Sequence, residues 1–271
     1  MIENFINRKY LYKSTINDLS IKYANAKPFP HIEIENFFKN DLVEDIKSDF
    51  PNLEKINSYE RNTKNERKFG LEDQNKMSEK INNFIMFLNS QLFLELLRKI
   101  TSIDEFLIGD PYLVGGGLHE TKNGGFLKIH SDFYFHQKLK IDRRLNLLLY
   151  LNDDWKHEFG GHLELWDKTM KKCEKKIELK FNKLCIFSTD NYSFHGYPDP
   201  IKCPSNISRK SLALYYYSNG RPDQDLMKEM PNTTNWKNRF NIKDEVNNSY
   251  SLKDYLRKFP FLRKIKKFIS K

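Results

Sequence analysis

The chain has 271 residues, 39% hydrophobic and 14% aromatic, and its 46 Lys+Arg against 36 Asp+Glu give a formal charge of +10. That balance is globular, the length allows one large domain or two modest ones, and no apolar run approaches the roughly 18 residues of a membrane-spanning helix. The basic excess is local, because residues 251–271 hold eight Lys+Arg and one acid, net +7, which leaves +3 for residues 1–250.

Residues 1–10 lack the basic start and the apolar block of about 7–15 residues that mark a secretory signal, which predicts a cytoplasmic product. Phe29 to Ile34 alternates like a short strand. Asn40-Asp41 then caps a helical pattern with Leu42, Val43, Ile46 and Phe50 on one face. Residues 52–75 are polar and charged and read as a long loop. A second helical run, Met77 to Ile100, repeats apolar residues at three and four. From Tyr112 onward the pattern becomes short β-rich segments separated by Gly, Asn, Asp and Pro: Phe126 to Ile129, Leu145 to Leu151, His162 to Trp166, Lys183 to Phe187 and Leu212 to Tyr217. Helices followed by a β core of this kind predict a mainly β sandwich or double-sheet barrel. At the C-terminus, Leu262, Ile265, Phe268 and Ile269 fall at helical spacing among Arg263, Lys264, Lys266, Lys267 and Lys271. This reads as a basic amphipathic helix opened by Pro260, suited to an anionic membrane or a partner, or to packing on its own domain.

Cys173, Cys185 and Cys203 are odd in number and form no CxxC pair, so they read as reduced and structural. Lys outnumbers Arg 35 to 11 and Asn occurs 27 times, a bias that raises lysine everywhere without clustering it on one face. With +3 for the body, no nucleic-acid partner is expected. The run Gly115-Gly116-Gly117 is followed by no helix with Lys-Ser or Lys-Thr, which predicts a strand bend or close backbone approach in place of a phosphate cradle.

His130-Ser131-Asp132 ends a predicted strand, and in extended chain residues two apart face one side, so the imidazole and carboxylate converge. His195 lies 63 residues beyond Asp132, just after the strand Leu184 to Phe187, and Arg209 lies 14 beyond His195. Two histidines and one carboxylate make the facial triad that leaves three positions open on a non-haem Fe(II). An arginine about one strand away has the planar fork to anchor a distal carboxylate.

On these residues the chain resembles the Fe(II)- and 2-oxoglutarate-dependent dioxygenases, in their prolyl 4-hydroxylase-like branch. The blocks that carry the resemblance, in order, are Phe29-Pro30-His31, Gly124-Gly125-Phe126 through His130-Ser131-Asp132-Phe133, Tyr150-Leu151-Asn152, Gly160-Gly161-His162-Leu163-Glu164-Leu165-Trp166, Phe194-His195-Gly196 and Arg209-Lys210-Ser211. The resemblance covers 112–220 well and 28–50 loosely. It implies a double-stranded β-helix, or jelly roll, at 112–220 with a supporting helical region of the same domain at 1–111. A C-terminal extension at 221–250 and the basic tail at 251–271 complete the chain.

The same resemblance implies that His130, Asp132 and His195 bind iron, that Arg209 binds the distal carboxylate of 2-oxoglutarate, and that Tyr150 and Ser211 add hydrogen bonds to it. Fe(II) and 2-oxoglutarate follow as cofactor and co-substrate, with room for ascorbate. The implied activity is hydroxylation of a C–H bond in a prolyl residue, a small molecule or a saccharide, with release of succinate and CO₂. Leu127 stands where some relatives have a tyrosine, which puts the substrate in question more than the metal. Retention of Asp132 speaks against a halogenase. The loop 52–75 and the segment after Gly220 are the candidates for substrate contact. His119, His136, His157 and His162 have no spacing that demands a metal and read as packing or surface residues, with a reach to the substrate side as the alternative for His136, which is close to the His130 strand. A non-catalytic jelly-roll module that uses its pocket for a ligand is the alternative of a different class.

Overall fold

Apolar residues spaced three and four apart make the helices of the N-terminal third, and alternating ones make the strands that follow, in a computed structural model that describes residues 2–56, 58–228 and 231–248. The basic tail at 251–271 lies outside the described residues. The order begins α1 (Lys13–Asn25), β1 (His31–Glu35), α2 (Asn40–Ser48), β2 (Tyr59–Asn62), β3 (Glu66–Leu71), α3 (Glu79–Leu88) and α4 (Gln91–Thr101). It continues through β4 (Ile108–Gly109), β5 (Gly117–Thr121), β6 (Phe126–Ser131), β7 (Phe135–His136), β8 (Ile141–Tyr150) and β9 (Leu163–Trp166). The remainder is β10 (Cys173–Ile177), β11 (Lys183–Ser188), β12 (His195–Tyr197), β13 (Arg209–Ser218), α5 (Gln224–Met227) and β14 (Asn235–Trp236).

Two helical expectations shift in detail. Lys39, not Asn40, takes the cap position of α2, and the Asn40 side chain instead accepts a hydrogen bond from Asn182. The run Met77 to Ile100 is two helices, with the Ser78 hydroxyl accepting from the Ile81 N–H at the start of α3. Asn89 and Ser90 separate them, as short polar side chains that bond to nearby backbone favour caps and turns over helix interiors.

The strands pair antiparallel along the path β1-β11-β8-β13-β5-β3-β6-β12-β9-β10. The path curls into a nearly closed barrel, so that residues of β8 and β11 meet those of β9 and β10 in a core that includes Tyr150, Leu163, Leu165, Ile177 and Phe187. The stretch 52–75, expected as a loop, contains the β2–β3 hairpin. Strand β3 links the two halves of the barrel, pairing Phe69–Leu71 with β5 and Glu66 and Arg67 with β6. Close packing of β3 on β5 also explains Gly117: it sits at φ +82°, and a Cβ there would lie 2.1 Å from the Leu71 carbonyl oxygen. The Gly115–117 run is therefore a close backbone approach.

Period-two alternation divides the work of the central strands. Leu145, Leu147 and Leu149 of β8 and Leu212, Leu214 and Tyr216 of β13 join Ile81, Phe84, Phe93 and Leu97 of the helices in the largest apolar core. The other faces of β8 and β13 turn into the barrel. Among the described residues no helix is long and apolar enough to cross a membrane. All three cysteines are free, with Cys185 and Cys203 buried.

Phe38 sits where the helical layer meets the barrel, fully buried and edge-on to Phe37 and Phe84 at 5.0 and 4.9 Å between ring centres. Phe38→Ala should lower the unfolding free energy by about 3–5 kcal/mol, measured as a reduced urea midpoint. A loss of only about 0.5 kcal/mol, the range of ordinary surface changes, would show that this layer does not brace the barrel.

Candidate active site

Pairing of β6 with β12 sets His195 directly opposite His130. Asp132, two residues beyond His130, points to the same side. One ligand atom from each of the three residues lies within 4.8 Å of the others, a group that can hold a metal ion. The His130 Nε2 is 3.7 Å from Asp132 Oδ1, and the His195 Nε2 is 3.5 Å from Asp132 Oδ2.

The tautomers follow from the hydrogen bonds. Nδ1 of His130 lies 2.9 Å from the Lys128 carbonyl, and Nδ1 of His195 lies 2.9 Å from the Ser193 carbonyl. A carbonyl only accepts, so each Nδ1 carries the proton and each Nε2 lone pair is left facing Asp132. Burial, and next the neighbouring His130, push the His195 pKa down to about 4, which keeps this imidazole in its neutral, ligating form. Burial alone would raise the Asp132 pKa, but Arg143 first, then His195 and His130, hold it well below the usual carboxylate range.

Arg143 and Asn146, which sequence reasoning did not single out, form the floor beneath Asp132. Arg143 Nη2 is 3.1 Å from Asp132 Oδ2, and Asn146 Nδ2 donates to the same oxygen at 2.8 Å. Arg143 also donates from Nε and Nη2 to Asn146 Oδ1, at 3.0 and 2.6 Å. Its fully buried guanidinium is covered by Tyr215 and Phe133, 3.5 and 4.6 Å from the ring centres. Residues three apart would normally face opposite sides of a strand. Here the register against β13 shifts between Leu145–Tyr216 and Arg143–Tyr217, leaving Arg144 as an extra residue, and this bulge turns Arg143 and Asn146 to one face.

The three converging residues line a cavity of about 140 Å³ that also includes Arg209, Ser211 and Leu127. Arg209, 4% exposed at the start of β13, donates from Nε to the Gly161 carbonyl at 3.0 Å. Its guanidinium lies 4.3 Å from the Tyr197 ring centre and 5.2 Å from that of Tyr150. Among the described residues no carboxylate forms an ion pair with Arg209. Tyr150 packs against it outside the cavity lining, and its buried hydroxyl has no hydrogen-bond partner among the described residues. Burial drives that hydroxyl's pKa far up, so it remains a donor. Leu127 lines the cavity, and Tyr197 pairs with it from β12 and shares a hydrogen bond with Thr121 at 2.9 Å.

The remaining histidines separate. His119 lines the cavity, buried and held well below its ordinary pKa by burial and then by Lys68. His136 is buried outside the cavity lining, with Nδ1 accepting from the Leu139 N–H and Nε2 3.6 Å from Asp110. His157 and His162 stack on each other at 4.6 Å, also outside the lining. At the mouth stand Arg61 and Lys68 of the β2–β3 hairpin and Trp236 of β14, whose ring centre is 4.7 Å from that of His130. These three were named in the sequence only as parts of segments.

Residues 116–217 match the family model described as the 2OG-Fe(II) oxygenase superfamily, a span that contains His130, Asp132, His195 and Arg209. Solved structures agree on the architecture. A prolyl-4-hydroxylase from Pseudomonas putida is 15% identical, with 76% of this chain and 99% of that one covered at a TM-score of 0.51. A prolyl hydroxylase from Trichoplax adhaerens, solved with a hypoxia inducible factor peptide fragment, is 15% identical over 75% of this chain and 89% of that one, TM-score 0.54. A prolyl 4-hydroxylase from Phytophthora capsici is 16% identical over 95% of this chain and 73% of that one, TM-score 0.52. At these identities the shared property is the fold, and the barrel described above is the superfamily's jelly roll.

A side chain that fixes the carboxylate of such a three-residue group should govern metal affinity without reaching the metal. Asn146→Ala should weaken Fe(II) or Co(II) binding roughly 10–100-fold, titrated anaerobically on the folded protein. An unchanged affinity would mean that Arg143 alone positions Asp132.

Proposed function

We propose that the chain is an Fe(II)- and 2-oxoglutarate-dependent hydroxylase acting on a C–H bond of a prolyl residue, a small molecule or a saccharide, with release of succinate and CO₂. His130, Asp132 and His195 would hold the metal, and Arg209, with Ser211 and Tyr150, the distal carboxylate of 2-oxoglutarate. The observation that carries this reading is one buried cavity that combines three converging ligand atoms with a guanidinium that no carboxylate of the described chain neutralises. A three-ligand iron centre, when bound, supplies Lewis-acid and redox chemistry toward 2-oxoglutarate and O₂.

The chain's own residues supply direction and exclusion. The carbonyls of Lys128 and Ser193 lock both imidazoles with Nε2 toward the metal position. Asn146 and Arg143 hold Asp132 ionised and fix its Oδ2. Arg209 orients a dicarboxylate by one end, and the unpaired Tyr150 hydroxyl is available to donate to that end. Leu127, Leu148, Leu163 and Phe187 in the lining limit water around the reacting atoms. Ascorbate fits as an accessory to such a centre. A non-catalytic ligand-binding module would have no use for this complete set of donors.

Anaerobic addition of Fe(II) and 2-oxoglutarate should give the weak visible charge-transfer band of a chelated 2-oxo acid, absent in Asp132→Ala. Protein that shows no band, or a variant that keeps it, would overturn the reading. Arg209→Ala should cost about 2–5 kcal/mol of 2-oxoglutarate affinity, upwards of roughly 30-fold, while Fe(II) affinity holds. Equal loss of both would show that Arg209 is not the anchor.

We further infer a cytoplasmic enzyme whose basic tail, net +7 over residues 251–271, contacts an anionic membrane surface. Deleting 251–271 should leave 2-oxoglutarate turnover unchanged and reduce co-sedimentation with phosphatidylserine vesicles. Lost turnover would assign the tail to the catalytic domain instead.

A further inference from the structure

The cavity that would hold metal and co-substrate carries more positive charge than they use. Among the described residues its lining contains four permanent cations, Arg61, Lys68, Arg143 and Arg209, and two carboxylates, Glu66 and Asp132. Fe(II) and the 2-oxoglutarate dianion cancel each other in net charge, so the excess of two remains after both are in place. Arg143 and Asp132 are paired at the floor, and Arg209 has the co-substrate's distal carboxylate. One unit of the excess stays with the metal and the other is at the mouth.

There, two cations share one anion. Arg61 Nη1 is 3.2 Å from Glu66 Oε1, and Lys68 Nζ is 3.6 Å from Glu66 Oε2, so the carboxylate is divided between them. The Lys68 side chain is only 11% exposed, yet among the described residues its ammonium makes no hydrogen bond, because 3.6 Å to Glu66 is too long for one. With that one long contact, the ammonium has donors open toward the cavity, which an anionic ligand can take up in charge-assisted hydrogen bonds. Strand alternation aims it inward. Arg209 and Lys68 flank Thr121 on neighbouring strands, in line with the pairings Arg209–Thr121 and Phe69–Glu120. On another part of the cavity wall Trp236 offers an aromatic face beside His130.

We propose that the substrate is a small molecule bearing an oxyanion, a carboxylate or a phosphate ester, which Arg61 and Lys68 bind at the cavity mouth while Trp236 supports the carbon skeleton near His130. This rests on the iron and 2-oxoglutarate reading above and narrows its substrate class. A neutral prolyl peptide segment would leave Arg61 and Lys68 with Glu66 as their single shared anion. A small anion supplies the second negative charge that this pair of cations lacks.

The test uses the full chain loaded anaerobically with Fe(II) and 2-oxoglutarate, titrated with methyl phosphate and with acetate by calorimetry and by the shift of the chelate band. At least one probe should bind, and which of them binds tighter distinguishes a phosphate ester from a carboxylate. Lys68→Gln should weaken the probe at least tenfold and Arg61→Gln severalfold, with 2-oxoglutarate affinity within twofold of the parent. Glu66→Gln should strengthen probe binding, an inversion of sign that loss of structure cannot produce. No probe binding to loaded protein, or probe binding indifferent to Lys68→Gln, overturns the proposal. A Lys68→Gln protein that loses 2-oxoglutarate and not the probe does so too, by moving Lys68 to the co-substrate. An absent chelate band before any probe is added strikes the catalytic reading itself, so the two failures are distinct.

Discussion

A carboxylate buried without a counter-charge takes up a proton, and a protonated Asp132 would be a poor partner for a cation. Arg143, 3.1 Å away and itself fully buried, prevents this. The guanidinium then has the same problem as the carboxylate. Asn146 accepts two of its N–H groups, and Tyr215 and Phe133 cover its faces. Desolvation of such a pair can cancel its Coulomb gain, whereas removing one member leaves a bare buried charge, at a cost of about 3–5 kcal/mol. The pair is therefore better understood as holding the site ready than as stabilising the fold.

Backbone geometry is what brings this pair and its side-chain supports together. The bulge at Arg144 brings Arg143 and Asn146 to one face of β8, and the same strand sends Leu145, Leu147 and Leu149 into the helical layer. The floor of the site is thus fastened to the largest core through a single strand. The β6–β12 register does the equivalent for the histidines, and carbonyls two residues upstream fix both rings. Site residues on paired strands with bonded rings have little freedom to drift, which is what an ordered set of ligand atoms needs.

What was legible in the sequence divides along the same physical line. Alternation exposed the central strands, and the order of His130, Asp132, His195 and Arg209 made one cavity a reasonable expectation. The β2–β3 hairpin was hidden because its inward residues, Glu66, Lys68 and Gly70, line or border a polar cavity, so the stretch never shows the apolar alternation of a strand packed on a core. Arg143 and Asn146 were hidden for another reason: three residues apart on a regular strand they would diverge, and only pairing with β13 reveals the bulge. Trp236 belongs to a two-residue strand, too short to carry any period.

The walls of the mouth are also not independent. Asn65, in the turn of the hairpin that carries Arg61 and Lys68, exchanges hydrogen bonds with the backbone of Asn247 at 2.6 and 2.7 Å. The next residue, Asn248, holds the Trp236 backbone through both ends of its amide, at 2.9 and 3.0 Å. Two adjacent asparagines therefore tie the cationic wall to the aromatic one at a set separation. Charge outside this frame acts differently. The +7 of residues 251–271 is screened over about 8 Å at physiological ionic strength, whereas cations inside a desolvated cavity are screened far less. Of the formal +10, the few charges facing the cavity are therefore the ones whose fields act there at close to full strength.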